Sequence, residues 1–178
     1  DTELRAVLSA AVAFDASGHV HLPRGLGGLE RMLRLARETG ARLHVVHVNS
    51  SAGDALPAYL SALRKARKAG QPVTVEAYPY GASMTRIEAA KFADWEEWPE
   101  EKFARFQWAA TGEWLTRDRF ALYREQGGII IHHARGAELT AAALADPMVM
   151  VASDGFIDGR TGHPRAAGSF SRVLGRYV

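Results

Sequence analysis

Cysteine is absent from the 178 residues, which excludes disulfides and thiolate metal sites and leaves histidine, aspartate and glutamate as the available metal ligands. Long apolar runs are missing too. No stretch approaches the ~20 residues that cross a bilayer, and no signal-peptide pattern is present, so neither membrane nor export is expected and the expected compartment is the cytoplasm. The net charge is only +2, and the arginines are scattered along helical patterns without interleaved aromatics, so nucleic acid is not an expected partner. No G-x-G-x-x-G follows an apolar run and no glycine-rich turn carries a P-loop lysine, which argues against dinucleotide and P-loop nucleotide folds. An initiating methionine is also lacking. The chain begins at Asp1 and enters a helical pattern at once, as expected of a piece of a longer protein.

What is present is an alternation of helical stripes and apolar runs, in a chain hydrophobic enough (47%) to bury a core. Leu4, Leu8, Ala11 and Val12 recur at helical spacing, and residues 18–22, GHVHL, then read as a short strand stopped by Pro23. Leu29, Met32, Leu33 and Ala36 form the next stripe, with Gly40 as its left-handed cap. Residues 43–51, LHVVHVNSS, read as a buried parallel strand closed by His47, and a further helix with Leu56, Tyr59, Leu60 and Leu63 inward ends at Gly70. Residues 72–80, PVTVEAYPY, and 148–155, MVMVASDG, predict two more strands, the second ending in Asp154. Between them, the segment of about 84–127 holds all four tryptophans with no clean period and is expected to be an irregular insertion. The run 129–131 before His132 and His133 predicts an extra strand or the end of a βα excursion, residues 138–145 a short helix, and residues 170–177 a final one.

Strands alternating with helices in units of about thirty residues imply βαβ crossovers and a parallel sheet. Four such strands make half of an eight-stranded barrel. A strand-end histidine such as His47 alone is equally consistent with a hydrogen-bonded core residue. Histidines closing two successive strands, with an aspartate closing a later one, instead converge on the carboxyl face where barrels keep their chemistry. His132 and His133 are neighbours on a strand and face opposite ways, so at most one of them could join a site.

The motifs HVHLPRG, LHVVHVNSSAGDALPAYL, VEAYPYGASMT, MVMVASDG and GHPRAAGSFSRVLGRY together resemble the later half of amidohydrolase-superfamily enzymes. Specifically, they resemble the N-acyl-D-amino-acid deacylases, the group of D-aminoacylase and N-acyl-D-glutamate deacylase. The resemblance implies an α/β fold, half of a (β/α)8 TIM barrel (strands five to eight), with residues 1–178 as one partial metal-dependent hydrolase domain. It implies His21 and His47 as metal ligands and Asp154 as the catalytic carboxylate that shuttles a proton. Arg165 would bind the substrate α-carboxylate, with Tyr78, Tyr80 and Ser83 positioning it. Zinc is the implied cofactor, as one or two divalent ions in the intact enzyme, whereas the present residues alone could be metal-free. The family's histidine-x-arginine is here one residue longer, His21-Leu22-Pro23-Arg24, so His19 and His21 both come into question and His21 is favoured. HVNSS replaces an ISHHK-like sequence, so the lysine that some members bring to the substrate is missing.

The implied function is metal-dependent hydrolysis of the amide bond of an N-acyl amino acid, of D configuration by resemblance. The alternatives are a cyclic-amide hydrolase or deaminase on the same scaffold, or a non-catalytic half-barrel for assembly or binding. An unclosed half-barrel leaves two strand edges and one apolar sheet face exposed. Its expected partner, besides a small-molecule substrate, is the remainder of the barrel from upstream sequence, or a second copy joined through those edges.

Overall fold

The computed structural model describes residues 1–23, 25–134, 136–158 and 161–178; Arg24 of the His21 run lies outside them. The chain runs through α1 (Thr2–Ala13), β1 (Ser17–Val20), α2 (Leu26–Thr39), β2 (Arg42–Val45), α3 (Val48–Ala52), α4 (Leu56–Lys68) and β3 (Val73–Ala77). A second group follows: β4 (Ala82–Arg86), α5 (Glu100–Phe103), β5 (Phe106–Trp108), α6 (Arg117–Gln126) and β6 (Ile129–His133). The chain then returns through α7 (Ala137–Ala145) and β7 (Val149–Val151), the two-stranded pair β8 (Ile157–Asp158) and β9 (Thr161–Gly162), and α8 (Arg165–Arg176). Strands β1, β2, β3 and β7 form one sheet in that order, parallel throughout, so the fold is α/β as expected.

Period-two alternation decides what each face of this sheet does. Leu43, Val45, Val73 and Val75 share one face and pack with Leu29 and Leu33 of α2, Leu60 and Leu63 of α4, and Ala143 of α7. Leu29, Leu43 and Leu63 are at most 1% exposed. Each such leucine contributes about 2 kcal/mol of burial, enough to fix the helix layer on this side. Gly40, at φ +75°, supplies the left-handed residue that stops α2 before β2.

The other face differs from the expected apolar one. His19, His44 and Thr74 lie side by side in register, with Glu76 one pleat further on. His44 is 5% exposed, its Nδ1 2.7 Å from Thr74 Oγ1 and its Nε2 3.0 Å from Glu76 Oε2. A carboxylate only accepts, so Nε2–H donates to Glu76 and the threonine hydroxyl donates to Nδ1 in the neutral ring. The physical reason is in VTVEA, whose alternation puts its polar residues together on the side away from the helices.

Two further differences bear on the site. β2 stops at Val45, short of His47, because His47 takes a left-handed conformation (φ +37°, ψ +55°) and its carbonyl accepts the N–H groups of Ser50 and Ser51. VNSSA is therefore a short helix, in keeping with the tendency of Asn and Ser to favour local turns over ladders. The tryptophan-rich segment is not irregular: β4, β6 and β5 form an antiparallel sheet in that order. Its core is an aromatic cluster of Phe92, Trp98, Phe103, Phe106, Trp108 and Phe120. Ile129–His133 is the central strand of that sheet, and Gly128 before it lets Trp108 approach where a Cβ would sit 2.4 Å from the ring. The last helix starts at Arg165, five residues ahead of expectation, directly after Pro164.

Candidate metal and carboxylate site

Because the four strands are parallel, their carboxyl ends lie at one edge of the sheet, and His21, His47, Tyr78 and Asp154 each come one to three residues after such an end. His21 and His47 meet there: His47 Nε2 is 2.7 Å from His21 Nδ1, with ring centroids 4.5 Å apart. His19 does not take part, lying against Ser17 and His44 on the polar sheet face. His47 is 9% exposed. Burial pushes its pKa below the ordinary histidine value; Asp154 opposes this, while His21 and Arg165 reinforce it. The neutral ring is thereby favoured, and that is the form with a lone pair to offer a metal. Ser51 Oγ lies 3.3 Å from Nδ1, so in the tautomer protonated at Nδ1 that N–H donates to Ser51 and Nε2 keeps its lone pair, accepting from His21 Nδ1–H.

Asp154 and Arg165 form the second half of the site. Asp154 sits at φ +46° with its side chain 32% exposed, and its Oδ2 is 2.9 Å from Arg165 Nη1. Arg165 is 2% exposed, and its guanidinium lies 4.7 Å over the ring of Tyr78. Among the described residues its Nε and Nη1 have no aligned hydrogen-bond partner, so the contact with Asp154 is an ion pair of poor angle. A buried guanidinium with unused donors is costly unless a ligand completes it. Gly155 makes the juxtaposition possible, since a Cβ there would lie 2.6 Å from the Ala166 Cα.

A cavity of about 520 Å³ joins these groups, lined by His21, His47, Asp154 and Arg165 on one side and by Ser83, Met84, Thr85, Arg86 and Lys91 of the antiparallel unit on the other. Of the expected substrate residues, Ser83 lines this cavity and Tyr78 lies buried beneath Arg165. Tyr80 does not line it. Its ring meets His163 edge-on at 5.0 Å and carries the Arg172 guanidinium at 4.6 Å, beside a neighbouring cavity. His163 is structural to α8, its Nδ1 accepting the Arg165 N–H at 3.0 Å. His132 stacks on Phe106 at 4.3 Å, and His133 pairs with Gln107 at 2.7 Å; neither reaches the cavity. Arg86, Lys91 and Asn49 were not singled out in sequence, because their places depend on contacts between distant segments.

Among the described residues no three histidine or acidic side chains converge closely enough to hold a metal ion. Two imidazole nitrogens facing each other at the mouth of a cavity nevertheless fit as part of a nitrogen and oxygen ligand set for a zinc-like ion. The remaining ligands would have to come from outside these residues.

No family model matches the chain, and a search of curated proteins finds no match. Solved structures do match. N-acyl-D-glutamate deacylase from Bordetella bronchiseptica, complexed with zinc and a phosphonate inhibitor that mimics the reaction's tetrahedral intermediate, superposes with a TM-score of 0.78 at 25% identity over 99% of this chain. A D-aminoacylase that defines a subset of amidohydrolases gives 0.72 at 21%, and one described for its binuclear metal centre gives 0.73 at 22%, each again over 99% of this chain. In every case the chain spans 40% of the matched protein's length. By fold, then, this chain is similar to part of N-acyl-D-glutamate deacylase and of D-aminoacylase.

Proposed function

We propose that the full-length protein is a metal-dependent amidohydrolase that cleaves the amide bond of an N-acyl amino acid, of D configuration as in the matched deacylases. The observation that carries this reading is the shared cavity: two facing imidazoles, an aspartate, and a buried arginine whose Nε and Nη1 have no aligned hydrogen bond among the described residues. In this reading β1, β2, β3 and β7 are strands five to eight of a (β/α)8 barrel. Residues of about 84–127 are an insertion at the mouth, and the rest of the barrel comes from sequence outside these residues or from a second copy. Among the described residues no helix is long and apolar enough to cross a membrane.

His21 and His47 would hold a divalent ion, zinc by donor chemistry, which supplies Lewis acidity and a more acidic water at neutral pH. Arg165 receives the substrate α-carboxylate as a planar two-donor partner, and Ser83 on β4 lies across the cavity where it can bind the same end. Asp154, between His47 and Arg165, takes the proton from the attacking water and returns it to the departing amine nitrogen. Its left-handed backbone and contact with Arg165 aim the carboxylate into the cavity. The test is a pair of variants of the full-length protein. His47→Ala should lose zinc and turnover together; Asp154→Asn should keep zinc and lose turnover. Full turnover in Asp154→Asn, or undiminished zinc in His47→Ala, would reject the assignment.

A further inference from the structure

Asn49 belongs to neither half of the site, yet it is 1% exposed and joins the two. It lies two residues beyond His47 in α3, and its carboxamide faces the backbone of Tyr78: Nδ2 donates to the Tyr78 carbonyl at 2.9 Å, and the Tyr78 N–H donates to Oδ1 at 3.4 Å. The β2–β3 ladder has already ended at the pair Val45 and Val75, because β2 turns into α3. The side-chain amide thus takes the place of a strand neighbour that the turn at His47 removed, and pairs with a peptide group as a peptide would. The Tyr78 carbonyl also accepts the Tyr80 N–H at 2.9 Å, so both of its lone pairs are used in this fully buried place. Tyr78 in turn is the ring beneath the Arg165 guanidinium, and its centroid lies 6.5 Å from that of His47 with the rings inclined at 67°.

We propose that Asn49 is a positioning residue: by clamping the Tyr78 backbone it sets the height of the ring that supports Arg165, and so fixes where the substrate carboxylate binds relative to His47. The proposal rests on the role given to Arg165 above. Leu, Ala or Ser at this position could fill space, but none could supply both a donor and an acceptor at peptide geometry. An Asp keeps the shape and the acceptor while losing the donor, and places a carboxylate against the Tyr78 carbonyl.

The experiment uses the full-length protein with Asn49→Asp, and with Asn49→Ala where that variant folds. Asn49→Asp should raise KM about tenfold for an N-acyl amino acid, with a smaller fall in kcat, and should leave kcat/KM for the matching carboxamide nearly unchanged. Hydrogen exchange of the Arg165 Nε–H, followed by NMR, should accelerate about tenfold as the guanidinium loses its platform, a loss of protection that local opening produces. Equal losses on both substrates with unaltered Nε–H exchange would overturn the proposal and leave Asn49 as a strut of the fold. If the parent protein hydrolyses neither substrate, the proposed function fails; the exchange measurement then decides on Asn49 alone, faster exchange upholding its role and unchanged exchange refuting it.

Discussion

Replacing Arg165 by methionine in the full-length protein separates what its charge does for a ligand from what its bulk does for the fold. The side chain is 2% exposed, and methionine keeps a flexible apolar stem against Tyr78 while removing the guanidinium. A hydrogen bond to a charged group contributes about 1.5–3 kcal/mol, and each 1.4 kcal/mol is about tenfold in affinity. Losing the contact to an α-carboxylate should therefore raise KM about ten- to a hundredfold for N-acyl amino acids, with the carboxamide analogues almost unaffected. The fold should suffer less. Breaking a fully buried ion pair costs about 3–5 kcal/mol, but Asp154 is 32% exposed, so water can replace the arginine and the cost should fall nearer 1 kcal/mol. Loss of the buried Nε, which has no hydrogen-bond partner among the described residues, reduces it further. Steady-state kinetics on the acid and amide substrates, with urea unfolding of the same preparations, reads both quantities. Equal loss on acid and amide, or a destabilisation beyond about 3 kcal/mol, would mean that Arg165 serves the fold and that the carboxylate assignment is wrong.

Gly155→Ala should destabilise by about 2 kcal/mol, because its Cβ would meet backbone atoms, Ala166 Cα at 2.6 Å and Ala166 N at 3.0 Å, which cannot swing aside as a side chain can. An unchanged urea midpoint would show that Asp154 and the start of α8 are not held together by this close approach. In the antiparallel unit His133 is exposed overall, but partial desolvation of its ring against Trp114 and Gln107 holds its pKa below the usual histidine value of about 6.5. Between that folded value and about 6.5, the unfolded chain binds a proton that the folded chain does not, so stability falls as pH drops through this window and levels off below it. An NMR titration of the His133 ring with its midpoint at or above about 6.5 would sink this expectation.

The parallel sheet was legible because its strands carry two independent signals, apolar β-branched runs and turn residues at the ends, and the helices between them carry clean stripes such as Leu29, Met32, Leu33 and Ala36. In the antiparallel unit only β6 carried them, in the run Ile129 to Ile131 after Gly127 and Gly128. β4 and β5 have no such run, and the core is built from aromatics brought in by short turns, so no period survives along the rest of the unit. The polar sheet face could have been seen. VTVEA alternates strictly and His44 breaks the apolar run beside it, but composition hides alternation when the strand is taken as a buried block.

The candidate site divides along the same line. His21, His47 and Asp154 were legible because strand ends are local features, and parallel pairing then brings them together without further information. Asn49 was not legible: its meaning lies in a peptide group 29 positions away, and a polar residue in a serine-rich turn looks the same whether it faces water or completes a ladder. The turn at His47 links the two cases. By leaving extended geometry there, the chain points one imidazole into the cavity and at the same time removes the strand neighbour that the Tyr78 backbone would otherwise pair with. The residue that repairs the ladder must then sit within a turn of the candidate ligand, so the distance from His47 to Tyr78, and through it to Arg165, is set by α3 more than by the sheet.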